Sequence, residues 1–369
     1  MHARLSLGVA LSTLKSLFRR EAPNLLGLDV STSSVKLVEL SRARTGEFVL
    51  ERCASETLEP GWVRDGTIEK FDEVTDAIRR VVRKSGTKSK DVSMALPASA
   101  VITKKISLPD GLTEVELEVQ VESEARQYIP FSIDEVSLDF QVLGPSMRSS
   151  GDVEVLIAAA RKEKVAERQN LAEGAGLTAV VMDVDSFAGR LAVGRLTEDL
   201  IKSTEVPLIA VFEVGAYRST LQVLRGDEVL YERDQSFGGA QLTQLIERKY
   251  GFSQEEAEVR KRAGDLPDDY NQSVLAPFVE SLSQEVGRAL QFFFSGSTYN
   301  RLGHVYMAGG SASLHGLPQA VSRQTACACS VINPFEGMQM GPQVSARRLA
   351  REAPSYLTAT GLALRRFFQ

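Results

Sequence analysis

The chain is poor in the residues that build disulfide frameworks, metal sites and histidine-dependent catalysis. Its 369 residues include three cysteines and three histidines. Three thiols cannot form a disulfide framework, and the pair Cys327 and Cys329 lacks the additional cysteine or histidine ligands of a zinc site. A Ser-His-Asp triad is disfavoured by the same scarcity of histidine. These absences predict that the cysteines are small buried residues in a reducing cytosol.

Long hydrophobic runs and an excess of basic residues are also missing. The longest apolar runs, such as VLIAAA at 155–160, are far shorter than the roughly 20 residues of a membrane-spanning helix. The formal net charge of −5 gives no support to a general nucleic-acid-binding surface. A composition of 43% hydrophobic and 25% charged residues is typical of a globular protein with a full-sized core. Length alone predicts two or three domains.

Residues 1–22 form a segment that is distinct from the rest of the chain. The segment carries basic residues and a short apolar patch interrupted by Lys15, and no small-x-small cleavage site follows it. We therefore expect a basic cytoplasmic leader and not a signal peptide. Such a segment has a weak capacity to touch an anionic membrane surface.

The most informative feature of the sequence is an internal repeat. LLGLDVSTSSVKLVEL at 25–40 and LIAVFEVGAYRSTLQVL at 208–224 share one plan: an apolar strand that ends in an acid, a small or polar turn, and a second apolar strand. A third strand led by glycine follows each copy, at 46–53 and 226–234. Two halves that each begin with such a meander predict duplication and a pair of pseudo-symmetric domains.

Strands and helices alternate between and after the two copies, which predicts an α/β fold. Hydrophobic periodicity, capping residues and turn residues place the elements. The expected elements are a helix over 71–86 that ends at Gly86, strands over 91–97, within 132–162 and over 178–187, and helices over 238–250, 253–263, 275–294 and 315–325.

The segment 112–129 carries two conflicting patterns. Val115, Leu117, Val119 and Val121 alternate with the period of a strand. Thr113 and Glu116, however, have the spacing of a capping box, and Pro130 is placed to end a helix. We predict a helix here.

The stretch DVSTSSVK at 29–36 has two readings. The sequence lacks both the P-loop pattern and a strand-linked G-x-G-x-x-G, so an established phosphate motif is absent. The stretch is then either an ordinary polar hairpin or a turn whose successive amides form a nest for a phosphate. The repeat favours the second reading, because two such hairpins that face each other would clamp a triphosphate.

Two glycine pairs add to this pattern. Gly238 and Gly239 stand directly before a predicted helix, where N-terminal amides favour phosphate or ribose oxygens. Gly309 and Gly310 follow a predicted strand, where the missing side chains would let a flat base approach the backbone.

This series of parts resembles the actin-like ATPase superfamily. Its members carry a first phosphate loop, a connecting segment, a second phosphate loop, a second connecting segment and an adenosine motif. The matching stretches are LLGLDVSTSSVK, DVDSFAGRL, VFEVGAYRSTL, the GG at 238–239 and VYMAGGSASLHGL. Within the superfamily the chain resembles the PilM family of type IV pilus assembly proteins, which is related to FtsA. ARQYIPFSIDEVSLDF, YERDQSFGGAQLT and ATGLALRRF carry that closer resemblance.

The resemblance implies an actin-like ATPase fold with two pseudo-symmetric ribonuclease-H-like domains and a small inserted subdomain in the first half. The implied boundaries are a leader at 1–22, a first domain (1A) at 23–104 plus 169–203, an inserted subdomain (1C) at 105–168, and a second domain (2A) at 204–369 with a 2B-like helical part at about 242–300.

The resemblance also implies a site for ATP or ADP with Mg²⁺. Asp29 and Glu213 would be the catalytic acids and would reach the metal through water. The residues implied to contact the nucleotide are Asp29, Ser31, Thr32, Ser33 and Lys36 in the first loop, Gly215, Ala216 and Tyr217 in the second, Gly238 and Gly239, Glu258 and Lys261 beside the ribose and base, and Gly309, Gly310 and Ser311 beside the adenine.

The second loop departs from the usual pattern of the superfamily. It reads E-V-G at 213–215 where D-I-G is usual. The extra methylene of Glu213 moves its carboxylate by roughly 1–1.5 Å, which is enough to disturb in-line attack geometry. Either hydrolysis is slow while binding survives, or the glutamate reaches the same metal-bound water.

For function, the resemblance implies a cytoplasmic scaffold on the inner face of the inner membrane. It would bind the N-terminal cytoplasmic peptide of PilN and link the pilus motor ATPases to the inner-membrane platform, with indirect membrane contact, no nucleic acid and a capacity for homo-oligomers. Tyr128, Pro130 and Phe131 are candidates for the peptide groove, although a core role fits them equally. One alternative is an FtsA-like filament former, which is disfavoured because such proteins carry a C-terminal amphipathic anchor, whereas this sequence ends with TGLALRRFFQ. The other is a phosphotransferase, for which no separate base is found.

Overall fold

The computed structural model describes residues 25–146, 149–201, 206–226 and 228–368, in two compact units. Unit 1 contains the described residues up to Ala192, together with Gly337–Val344 and the described residues from Thr358 onward. Unit 2 contains the described residues in 193–336 and 345–357. The predicted leader at 1–22 lies outside the described residues.

The strands that form the sheets alternate with helices along the chain. The strands are β1 Leu26–Val30, β2 Ser34–Arg42, β3 Phe48–Thr57, β4 Val63–Arg64, β5 Thr67–Ile68, β6 Asp91–Leu96, β7 Val101–Pro109, β8 Val136–Pro145, β9 Asp152–Arg161, β10 Thr178–Val184, β11 Leu208–Val214, β12 Ser219–Arg225, β13 Glu228–Gln235, β14 His304–Ala308, β15 Cys329–Val331 and β16 Gln339–Met340. The α-helices are α1 Phe71–Ser85, α2 Glu114–Tyr128, α3 Lys162–Gly174, α4 Asp185–Leu196, α5 Glu198–Ile201, α6 Gly239–Tyr250, α7 Gln254–Ala263, α8 Ala276–Ser295, α9 Leu317–Thr325, α10 Ala346–Glu352 and α11 Leu357–Leu364. Short 3₁₀ turns and a π-helix at Asn271–Leu275 complete the helical structure.

The predicted repeat is visible in the two main sheets. Unit 1 holds a sheet of order β10-β6-β1-β2-β3-β16, and unit 2 holds one of order β13-β12-β11-β14-β15. In each, three antiparallel strands form the meander, and two parallel strands lie on the far side of its first strand. The chain therefore builds one five-strand plan twice.

Close backbone packing holds helix α11 in unit 1. A Cβ on Gly27 of β1 would lie 2.0 Å from the Ala359 carbonyl oxygen, and a Cβ on Gly361 would lie 1.7 Å from that of Ala188 in α4. Glycine at 27 and 361 thus lets α11 pack directly on the sheet and on α4.

A small third sheet, of order β7-β9-β8, belongs to unit 1 and carries helix α2. Leu108, Val121, Ala125, Val155 and Ile157 are among the residues of its own hydrophobic core. The predicted helix at 112–129 is confirmed as α2, and its capping box forms, with Thr113 Oγ1 accepting from the Glu116 amide. The cap therefore overrides the alternating valines.

One strand of unit 1 was missed by the sequence analysis, and the end of another was predicted wrongly. β7 was not predicted, because the lysines in VITKKISLP obscure the strand pattern. The strand predicted over 178–187 ends at Val184, because Asp185 begins α4 and its carboxylate accepts from the Ser186 amide.

Within the described part of the chain, no helix is long and apolar enough to cross a membrane.

Candidate functional site

The first predicted phosphate loop is the β1–β2 hairpin of unit 1. Asp29 and Lys36 stand opposite each other in the strand register, and Lys36 Nζ lies 3.2 Å from Asp29 Oδ2. The Ser31 amide and hydroxyl both donate to the Ser34 carbonyl, at 3.0 and 2.9 Å. Thr32 and Ser33 form the bend between the strands.

Lys36 supplies the positive charge of this hairpin. Its side chain is buried and donates to Ser31 Oγ at 3.3 Å in addition to Asp29. A buried ammonium needs such partners to offset the loss of water. A phosphate that approached the turn would therefore compete with Asp29 for the same cation.

The second predicted loop is the β11–β12 hairpin of unit 2, which packs against the start of α6. The amides of Gly239 and Ala240 donate to the carbonyls of Gly215 and Ala216, at 2.9 and 2.8 Å. The Gly238 amide donates to Gln241 Oε1 at 2.7 Å. The amides at this helix start are thus bonded within the protein, which the sequence did not reveal.

The glycine pair after β14 completes this part of unit 2. Gly309 has a φ of +88°, and a Cβ there would lie 2.4 Å from the Val214 carbonyl oxygen. The neighbouring Gly310 is exposed, and a Cβ on it would meet no atom of the described residues within 4 Å. Gly309 therefore serves packing, whereas Gly310 borders open space.

A charged network joins α7 to this group. Lys261 Nζ donates to Glu258 Oε2 at 2.5 Å, to Thr243 Oγ1 at 2.7 Å and to the Gly239 carbonyl at 3.3 Å. Burial alone would raise the pKa of Glu258, but the charge of Lys261 and hydrogen bonds from Lys261, Thr243 and Arg262 outweigh it and lower that pKa to about 2. Burial and the charge of Glu258 raise the pKa of Tyr217.

Glu258 should make the protein less stable in acid. Because its pKa is lowered on folding, its contribution is present above the unfolded value of 4.5 and is lost as the pH falls towards about 2. We expect Glu258→Gln to lower the free energy of unfolding at pH 7 by roughly 2 kcal/mol, after allowance for partial exposure. Urea denaturation at pH 7 and pH 3 measures this, and the difference between wild type and variant should shrink at pH 3. An equal difference in the free energy of unfolding at pH 7 and pH 3 would contradict the lowered pKa of Glu258.

The structure brings the predicted residues together in two groups. In unit 2, Gly238 and Gly239 pack on the carbonyls of the second loop, at Gly215 and Ala216. Ser311 packs on Gly239, and Lys261 donates to the Gly239 carbonyl. In unit 1, Asp29, Ser31 and Lys36 form the second group. Glu213 lies in β11 opposite Thr220 and Ala308 in the strand register.

Two residues beside the first hairpin were missed by the sequence analysis. Asp185, at the start of α4, accepts from the Ala98 amide at 2.9 Å. Arg168, in α3, is 2% exposed and donates to the Gly66 carbonyl at 2.7 Å. Asp185 lies in DVDSFAGRL, the stretch that resembles the first connecting segment, but it was not singled out there as a site residue. Arg168 belongs to no short motif that marks it.

The described residues do not form a metal site by themselves. No group of three or more histidine, cysteine, aspartate or glutamate side chains among them is placed to hold a metal ion. Mg²⁺ in nucleotide sites is often held by one or two carboxylates together with phosphates and water. Asp29 at the first hairpin could supply one such carboxylate.

The predicted peptide-groove residues lie at the surface, at the end of α2 and just beyond it. Tyr128 and Phe131 are each about two-fifths exposed, at 44% and 41%. Lys104 Nζ lies 4.7 Å from the centre of the Tyr128 ring, and the Arg161 guanidinium 5.1 Å from that of Phe131. Pro130 is exposed between them. Two accessible aromatic rings with adjacent cations suit a partner segment that has apolar and acidic groups.

Comparison with known proteins gives consistent matches. A sequence model of the family described as type IV pilus assembly protein PilM matches residues 27–367. A chain of the solved "PilM-PilN type IV pilus biogenesis complex" is 31% identical, with a TM-score of 0.75 over 93% of this chain and 98% of that one. The ethanolamine utilization protein EutJ from Carboxydothermus hydrogenoformans is 17% identical, with a TM-score of 0.56 over 94% of this chain and 90% of that one. The predicted actin-like ATPase fold is confirmed.

Proposed function

The chain belongs to the PilM family of type IV pilus assembly proteins, and we propose that it is an ATP-binding scaffold of that assembly. It binds the N-terminal cytoplasmic peptide of PilN and links the pilus motor ATPases to the inner-membrane platform. In this role it works in the cytoplasm, on the inner face of the inner membrane.

The observation that carries the proposal is the likeness to a chain of a PilM-PilN complex over nearly the full length of both chains. The family model matches residues 27–367, a range that includes α2 and the three-stranded sheet as well as the repeated core. The exposed Tyr128 and Phe131 are then available to an extended peptide, whose side chains would enter pockets between them.

Nucleotide binding is supported by the two groups of residues described above. In unit 2 the open space above Gly310 admits a flat base, and Glu258 and Lys261 offer polar groups to a ribose. In unit 1 Lys36 and the hydroxyls of Ser31, Thr32 and Ser33 offer cation and donors to phosphate. Mg²⁺, when bound, supplies charge neutralisation for the phosphates, and Asp29 would hold it through water.

Binding, more than turnover, is the expected role of the nucleotide. Glu213 places its carboxylate one methylene further from the backbone than the usual aspartate of the second loop. Since in-line displacement tolerates little misplacement of the attacking water, a longer side chain disfavours rapid hydrolysis. The bound nucleotide then acts as a structural or switching ligand.

The peptide site is tested by single substitutions in the proposed groove. Phe131→Ala is expected to weaken binding of a synthetic PilN N-terminal peptide at least tenfold, because an aromatic anchor at the centre of an interface carries much of its energy. Fluorescence anisotropy with a labelled peptide and the full chain measures this change.

Val115→Ala is the matched control. Val115 is an exposed apolar residue of the same helix α2, about 20 Å from Tyr128 along the helix axis. Its replacement should leave the peptide affinity within twofold. Equal losses in both variants would place the peptide elsewhere, and no binding to the unmutated chain would refute the scaffold role.

A further inference from the structure

Arg168 is a buried cation that is only partly paired. Its side chain is 2% exposed, and its Nη2 donates to the Gly66 carbonyl at 2.7 Å. Nε and Nη1 have no hydrogen-bond partner among the described residues. Nη1 lies 3.7 Å from Glu167 Oε2, beyond hydrogen-bond distance. Buried donors without partners are costly, so this arrangement calls for a role beyond packing.

Arg168 lies near the carboxyl ends of the parallel strands β1, β6 and β10. Gly66, which Arg168 contacts, packs on Pro97 at the end of β6, and the next residue, Ala98, donates to Asp185 at the end of β10. Ligands of open α/β sheets bind at this edge. Burial lowers the pKa of the Arg168 guanidinium, and the charges of Glu167, Asp29 and Asp185 oppose that effect.

Helix α3 joins this edge to the proposed peptide groove. β9 ends at Arg161 and α3 begins at Lys162, with no loop between them. Arg161 lies over the ring of Phe131, and Lys162 Nζ donates to the Asp134 carbonyl at 2.7 Å. Arg168 follows Arg161 by seven residues, which is two helical turns and about 10 Å along the same side of the helix. All these contacts lie within unit 1.

We propose that Arg168 is the positioning residue that couples the first phosphate hairpin to the peptide groove through helix α3. The guanidinium lies at the carboxyl ends of β6 and β10, beside the end of β1 that carries Asp29. A phosphate group bound at the first hairpin adds negative charge beside Asp29 and so changes the electrostatic field at Arg168. The guanidinium shifts in response and moves the start of α3. At that end of the helix, Arg161 contacts Phe131 and Lys162 contacts Asp134. This inference rests on the proposed function and names the route by which its two ligands affect each other.

The measurable consequence is a coupling factor between the two ligands. It is the ratio of peptide dissociation constants without and with saturating Mg–ATP, and linkage requires the same ratio for ATP without and with peptide. For the unmutated full chain we expect a ratio that departs from one by at least fivefold. Arg168→Met, which keeps the length of the side chain and removes its charge, should bring the ratio within twofold of one, while each ligand alone binds within about fivefold of wild type.

Arg79→Met is the matched control. Arg79 donates to the Gly174 carbonyl at the other end of α3, so it also makes a guanidinium-to-carbonyl bond to this helix, but it is exposed. Its removal should leave the ratio unchanged. Arg168→Lys, which keeps the charge without the planar fork, should give an intermediate ratio and provides the test if Arg168→Met does not fold.

The outcomes separate this inference from the proposed function. A wild-type ratio of one, or a ratio in Arg168→Met and Arg168→Lys equal to that of wild type, would overturn the role of Arg168 and leave peptide binding intact. Absence of peptide binding to the wild type would overturn the proposed function itself. A loss of coupling in Arg79→Met as large as in Arg168→Met would also overturn the inference, because any damage to α3 would then suffice.

Discussion

Arg365→Met is expected to lower the free energy of unfolding by about 3–5 kcal/mol. Arg365 Nε and Nη2 donate to Asp183 Oδ2 and Oδ1, at 2.5 and 2.9 Å, and the Asp183 carboxylate is almost completely buried. Removing the guanidinium leaves that carboxylate without its counter-ion in a site from which water is excluded. Urea denaturation of the full chain, followed by circular dichroism, measures the loss.

The double variant Asp183→Leu with Arg365→Met separates the value of the pair from the cost of breaking it. Apolar replacement of both members of a buried pair is often close to neutral, so more than half of the lost stability should return. The exposed pair of Arg126 and Glu122 in the same unit is the control, and Arg126→Met should cost about 1 kcal/mol or less. A cost for Arg365→Met as small as that of the control would show that the buried pair does not hold the end of the chain to β10.

Gly310→Val is expected to weaken ATP binding about 100-fold, which corresponds to about 2.7 kcal/mol. A Cβ at this position would meet no atom within 4 Å in the described part of the chain, so the variant should fold normally. The added methyl groups would instead occupy the space in which the adenine is proposed to lie. Titration with a fluorescent ATP analogue, together with a thermal melt, measures binding and folding separately.

A size series at the same position sharpens this result. Gly310→Ala should weaken binding less than Gly310→Val, because a single methyl fills less of the space. Gly309→Ala should instead destabilise the fold, because its φ is positive and its Cβ would lie 2.4 Å from a carbonyl oxygen. Full ATP affinity in Gly310→Val would show that the base does not approach this turn.

The repeated core could be predicted from sequence because its signal is local and occurs twice. The two meanders each combine an apolar strand, an acid and a short turn, and their order in the two sheets follows from that pattern. The helix α2 was predicted by its capping box against a competing strand pattern, because the Thr113 and Glu116 interaction is also local. Signals of this kind depend only on neighbouring residues.

Contacts between distant segments could not be predicted in the same way. Arg168 lies far along the chain from Gly66, and its burial depends on how α3 packs on the sheet. The hydrogen bonds from the Gly239 and Ala240 amides to the β11–β12 hairpin also depend on tertiary packing. A glycine pair before a helix does not predict them. The strand β7 was hidden because Lys104 and Lys105 remain exposed on a strand that buries Ile106 and Leu108.

The most direct test of the proposed scaffold is calorimetric titration of a synthetic PilN N-terminal peptide into the full unmutated chain, with and without Mg–ATP, and into Asp29→Ala. The account predicts saturable binding of one peptide per chain, with an affinity that ATP changes in the unmutated chain and does not change in Asp29→Ala. A peptide affinity that is the same with and without ATP, and the same in Asp29→Ala, would show that the nucleotide does not regulate peptide binding. No saturable binding in any condition would contradict the account.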